Sequence, residues 1–384
     1  MYYERYLMKM RFVFLILLCE IANNPWTLYA QTDPEFDISL NVDFNSAERL
    51  LDYYERFTNN SLVVVNQKGN QLAAATSVLL ARTSRPSDDF QQQLERVRDN
   101  IQAETDIYGL IPAKKRVSEL RKLITEAKRR QLDRKVIATI KSYFPNQINI
   151  SASIPVYFVA IGNERAVAVV RRVVWKNDIP QFVGDDEGDP IIIFNLVRVL
   201  EISSNIEEQI IGIMSTLAHE SFHSVFALLK QSFPDSLKPQ SYTDHLLDLV
   251  HNEGIAYSLS MSIQSTGRSP SKQWFDATAK AIESFNNIFL ELLSPNLTDR
   301  RARELMMNAN LSGSFESNYG ATAGMRMAYE IDSRLGRPVL AATLLQGAHD
   351  FFQKYYQACL QDASLPTLDE RVLREIGVQE ETVK

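Results

Sequence analysis

Cysteine is almost absent. The 384 residues hold two, Cys19 and Cys359. Cys19 lies in an N-terminal stretch, MKMRFVFLILLCEIA, where Lys9 and Arg11 precede an apolar run from Phe12 to Leu18. A charged start, a short apolar run and a small residue at the cut, here Ala30, describe a secretory leader. Residues 1–30 are therefore expected to be removed, with Met8 as natural a start as Met1. Lipid attachment at Cys19 is disfavoured because bulky Leu18 stands where a small residue is needed. Only Cys359 then remains, which excludes an intrachain disulfide and any thiolate-based zinc site. The expected location is outside the cytoplasm, in a periplasm or secreted.

Positive charge is also short. Forty-one Lys and Arg against 47 Asp and Glu leave a net charge of −6, without the basic footprint of a nucleic-acid binder. The one basic stretch, Lys114 to Lys135, keeps Val117, Leu120 and Ile124 at helical spacing and reads as a solvated helix face. Long apolar runs are missing as well, so no segment after the leader is expected to span a bilayer. Apolar content of 45% with 23% charged residues is that of a globular chain. There is no internal repeat and no low-complexity tract.

The spacing of apolar residues divides the chain into a helical region over 31–148 and a second region over 149–384. Helical runs are expected from Asn45, behind a capping box Asn45–Glu48, and over 71–82, 88–104 and 114–143. Three β-rich runs follow, over 154–162, 166–175 and 191–200, and form a small sheet. Helices return over 205–232, behind a capping box Ser204–Glu207, and over 243–264, 274–293, 318–335 and 340–361. The fold expected is α+β, mainly helical, with a small mixed sheet packed on the helix over 205–232.

That helix carries TLAHESFHSVF, which holds two of the chain's five histidines. His219 and His223, at i and i+4, share one helical face and can aim their imidazoles at a single zinc ion. Glu220 stands beside the ion rather than on it, where its carboxylate can take a proton from a zinc-activated water. The bland reading is an amphipathic helix with two satisfied histidines. Against it, Leu217, Ala218, Phe222, Val225 and Phe226 surround the pair with apolar bulk, and buried imidazoles need partners.

A catalytic zinc site takes three protein ligands and keeps one position open. The downstream candidates are His245, Asp248, His251 and Glu253. Glu253 stands in an apolar stripe made by Leu249, Val250, Ala256 and Tyr257, where an unpaired carboxylate would cost several kcal/mol. It is the expected third ligand, with His251 second; the alternative for Glu253 is an ion pair with an arginine. His251, on a more polar face near Asp248, is otherwise a candidate to orient a ligand or steady an oxyanion.

His219-Glu220-Ser221-Phe222-His223 followed one helix later by Asn252-Glu253-Gly254-Ile255-Ala256 resembles the gluzincin branch of zinc metallopeptidases. More narrowly, it is similar to secreted bacterial proteins described as zinc-dependent peptidases. The ligand-bearing part of the resemblance covers about 204–264. It implies a zincin-like core, one zinc ion held by His219, His223 and Glu253, and a peptide or protein substrate laid along an edge strand. IIIFNLVRVL, just before the motif helix, is the expected edge. Tyr319 is the expected oxyanion donor, with Gly320 and Gly324 letting its helix approach the active one. Two features depart from the family: the long His223–Glu253 gap, and Tyr257 and Ser258 where some members carry an acid. Two other functions fit the same residues, a binding or scaffold protein with a vestigial metal site and a zinc hydrolase of a non-peptide amide or ester.

Overall fold

Phe36, Ile38, Leu40 and Val42 alternate with Asp37, Ser39, Asn41 and Asp43, and this period of two makes Phe36–Asp43 the first strand, β1. The computed structural model describes residues 35–81, 88–101, 105–162, 166–184, 187–265, 269–310 and 318–378. The expected leader and Cys19 lie outside them. The chain divides into Met1–Glu35 and Phe36–Lys384, and every element below belongs to the latter. β1 pairs in parallel along its whole length with β2 (Ile150–Val159), so the helical region over 31–148 contributes a strand to the sheet.

The sheet is completed by β3 (Ala168–Lys176), β4 (Ile179–Phe182) and β5 (Asp189–Asn195), in the order β1-β2-β5-β3-β4. β5 runs parallel to β2 and antiparallel to β3, which forms a hairpin with β4. Asn177 and Asp178 turn the hairpin with φ of 50° and 61°, the left-handed conformation that a tight two-residue connection requires. The expectation of an edge strand at 191–200 is corrected here. Ile191, Ile192, Ile193 and Phe194 are all buried, the mark of a strand covered on both faces, and β5 lies in the middle of the sheet. The run also ends sooner than its apolar character suggests. The Asn195 carboxamide oxygen accepts from the Val197 amide at 3.0 Å and starts a helix at Leu196.

The helices before β2 are α1 (Asn45–Tyr54), α2 (Leu62–Val65), α3 (Lys68–Leu80), α4 (Asp88–Arg98), α5 (Leu110–Lys115), α6 (Val117–Arg129) and α7 (Leu132–Lys141). The run expected over 114–143 is broken because Gln131 adopts a φ of 48°. The expected box at Asn45 is not made; the Asp43 carboxylate accepts from the Asn45 amide instead, at 2.6 Å. After β5 come α8 (Leu196–Ile202), α9 (Ile206–Lys230), α10 (Tyr242–Ser265), α11 (Lys272–Leu292), α12 (Asp299–Ala309), α13 (Tyr319–Leu335), α14 (Arg337–Gln346), α15 (Ala348–Gln361) and α16 (Glu370–Glu375). The cap of α9 is Asn205, one residue later than the sequence suggests, accepting from the Glu207 amide at 2.8 Å.

The architecture is thus α+β, mainly helical, with one small mixed sheet. α9 packs on the sheet and against α10, and α10 packs in turn on α13. An aromatic stack ties the first strand to the motif helix, with Phe144 between Phe36 and Phe222 at ring-centroid distances of 5.6 and 5.4 Å. Among the described residues no helix is long and apolar enough to cross a membrane.

Candidate metal centre

α9 is anchored by Leu217, Ala218, Phe222, Val225 and Phe226, all buried, which leaves its His219–Glu220–His223 face turned to α10. The two imidazole Nε2 atoms meet at 2.9 Å, and Glu253 of α10 places Oε2 at 3.5 Å from each. Donors bound at ~2.0–2.1 Å around a tetrahedral zinc stand ~3.3 Å apart, so these separations fit a single ion. Among the described residues, this is the group of histidine and acidic side chains whose ligand atoms converge, all within 4.8 Å of one another. Among the described residues the ion-pair partners of Glu253 are these two histidines, not an arginine.

Two carboxamides hold the donors in place. Asn252 Oδ1 accepts from His223 Nδ1 at 3.0 Å, which fixes the tautomer and turns the Nε2 lone pair inward. Asn310 Nδ2 donates to Glu253 Oε1 at 2.6 Å and leaves Oε2 to the histidines. Glycines bring the neighbouring helix close. A Cβ on Gly324 of α13 would lie 2.1 Å from the Val250 carbonyl, and one on Gly254 would lie 2.5 Å from Gly324. The glycines of α13 thus serve its packing on the glutamate helix α10, not on the histidine helix.

The charges are strongly coupled. Burial disfavours the His223 imidazolium, but the Glu253 carboxylate, with help from Glu220 and Asn252, lifts its pKa to about 9. Burial likewise opposes the Glu253 carboxylate, yet His223 and His219 hold it well below the usual carboxylate range. Glu220 moves the other way: burial raises its pKa, the two histidines oppose this, and Glu253 adds to it. A carboxyl raised in this way is a stronger base than an ordinary glutamate.

Two expected residues are not at the site. His251 lies two residues from Glu253, about 200° round the helix and so on its opposite face. It is fully buried between Phe226 and Phe351, with ring centroids at 5.5 and 4.8 Å. Its Nε2 meets Thr343 Oγ1 at 3.0 Å, and Thr343 donates its own proton to the Leu340 carbonyl, so His251 is the donor. Burial, with the Lys230 charge, drives the His251 pKa down to about 3, making it a neutral core residue. Tyr319 is buried too, and its hydroxyl donates to the Leu305 carbonyl at 3.2 Å. Asp248 pairs with Lys230 at 2.7 Å, and His245 is exposed away from the cluster.

The phenol that does lie at the site is Tyr257, one turn after Glu253. Its ring meets His219 edge-on at 4.6 Å, it is 36% exposed, and among the described residues none hydrogen-bonds its hydroxyl. Burial, with the Glu253 and Glu220 charges, pushes its pKa up to about 12, so it stays a donor. The Arg171 guanidinium on β3 also acts on the site, favouring the ionised form of Glu220. Sequence reasoning missed Tyr257, Asn252 and Asn310 as site residues. The i+4 spacing from Glu253 could have found Tyr257, and adjacency to Glu253 could have found Asn252, but no local pattern announces Asn310.

Comparison with known proteins agrees with this geometry. No curated protein and no solved structure matches the chain significantly. Residues 63–364 match the model of one family, a span that begins after β1 and α1 and includes strands β2 to β5 and the two helices α9 and α10 that carry the candidate ligands. The chain therefore belongs to the family described as "Putative zinc dependent peptidase (DUF5700)".

Proposed function

We propose that this chain is a secreted zinc-dependent peptidase with a zincin-like core, in which His219, His223 and Glu253 hold one zinc ion and Glu220 is the general base. The observation that carries this reading is the convergence of the three donors beside a second, half-buried carboxylate, that of Glu220, whose charge is coupled to His219, His223 and Glu253. Bound zinc would polarise the scissile carbonyl and lower the pKa of water. Glu220, its proton affinity raised by burial, takes the proton from the attacking water and returns it to the leaving amine. Tyr257 replaces Tyr319 as the donor to the developing oxyanion, because its hydroxyl is free at the mouth of the site and that of Tyr319 is spent on Leu305.

The substrate edge also moves. β4 pairs with β3 only over Val173–Lys176, and the Val183 amide reaches back to the Arg172 carbonyl, so among the described residues no strand pairs the outer side of Ala168–Arg171, on a strand that packs on α9. A peptide adding a strand there would lie within reach of Glu220. Entry to an extracytoplasmic compartment rests on the leader-like residues 1–30. The test is Glu220→Gln: zinc stays bound, by metal analysis, while hydrolysis of a peptide library falls ~100–10,000-fold, the range expected for loss of a general acid–base group. Hydrolysis undiminished in that variant refutes the assignment of the base.

A further inference from the structure

Glu253 offers two oxygens, and they are treated differently. Oε2 faces both histidines at 3.5 Å, whereas Oε1 is taken by Asn310 at 2.6 Å, from a residue 57 positions later in the chain. We infer that Asn310 is a positioning residue: by engaging Oε1 it confines Glu253 to ligation through Oε2 alone and so keeps a coordination position free for substrate and water. This rests on the metal reading above. A carboxylate free at both oxygens can ligate with one or with both, and bidentate ligation would fill the position that a catalytic site must keep open.

The surroundings of Asn310 fit a placed donor rather than a chance contact. Asn310 is the first residue after α12 and has left the helical conformation, with φ −137° and ψ 38°. The last turn of α12 is held from the far side by α13. Tyr319 donates to the Leu305 carbonyl at 3.2 Å, and Gly320 lies so near that a Cβ there would stand 2.8 Å from the Ala309 carbonyl. The same helix α13 packs through Gly324 on Gly254, next to Glu253. One rigid helix therefore sets both the carboxylate and the amide that binds it. Tyr319, expected at the reaction, acts instead on the platform that aims Asn310.

The test measures metal binding, not turnover. Asn310→Ala and the similarly sized Asn310→Leu both lack the donor. Each is expected to weaken Zn(II) binding ~10–100-fold, the usual effect of removing a ligand's supporting partner. Each is also expected to lower the visible absorption of the Co(II)-loaded protein, as a four-coordinate ion gains a fifth ligand atom. In a Glu253→Ala background the Asn310 substitution should cost nothing further, because its effect passes through that carboxylate. Wild-type affinity and an unchanged Co(II) spectrum in both variants overturn the inference, as does an equal loss in the Glu253→Ala background. A wild-type chain that binds neither Zn(II) nor Co(II) instead overturns the metal reading on which this one stands.

Discussion

On the proposed reading, zinc would displace a proton on entering this site, at a pH set by the fold. His223 lies between Glu253 and Asn252, and its pKa is raised to about 9. If one proton leaves on binding, apparent affinity scales with the fraction of sites with His223 neutral. Raising the pH from 7 to 9 takes that fraction from ~1% to ~50%, a gain of ~50-fold, whereas a histidine at its ordinary pKa would gain only ~1.3-fold. Competition against a fluorescent zinc chelator at fixed ionic strength reads this directly. A flat affinity above pH 7.5 would refute the coupling of His223 to Glu253. The same shift has a sign for stability. A raised histidine pKa contributes stability that is complete below about 6.5 and lost as pH rises through about 9. The depressed Glu253 pKa contributes stability above the ordinary carboxylate range that is lost on acidification. The metal-free protein should therefore lose stability between pH 6.5 and 9, and saturating zinc should remove that loss.

Three substitutions separate the parts of the site. Gly324→Ala gains ~1 kcal/mol of helix propensity but drives a Cβ to 2.1 Å from the Val250 carbonyl, at an overpacking cost of ~1–3 kcal/mol or more. Urea unfolding should show a net loss together with weaker zinc binding, and an unchanged midpoint would contradict the close packing of α10 and α13. Tyr257→Phe should lower kcat ~100–1000-fold with zinc content and KM nearly unchanged, the cost of one oxyanion donor; steady-state kinetics on a cleaved peptide decide it. His251→Phe should leave zinc affinity as it is and shift stability by ~1–2 kcal/mol, since the ring lies among Phe226 and Phe351 and bonds only Thr343; a large loss of zinc would return His251 to the site.

The sequence displayed the three candidate ligands more clearly than their supports. His219 and His223 were legible because i, i+4 spacing is a local property of a helix. Glu253 was legible because a carboxylate in an apolar stripe must be accounted for. The strand at Phe36–Asp43 has a clean alternation, but it is short and adjoins the stronger helical pattern from Asn45. β5 is central rather than an edge, and its unbroken run of buried isoleucines is the mark of such a strand. His251 and Tyr319 were misplaced for a different reason. Their chemistry suited the site, but a 200° turn of α10 faces His251 away, and the Leu305 carbonyl claims Tyr319. Asn310 was beyond reach, because its contact with Glu253 joins positions 57 apart and has no periodicity.

Anomalous diffraction at the zinc edge from zinc-loaded crystals tests the central claim most directly. The account predicts one peak within bonding distance of His219 Nε2, His223 Nε2 and Glu253 Oε2, with Glu220 beside it and unbound. A peak completed by another side chain in place of Glu253, or one lying away from the two histidines, would contradict it.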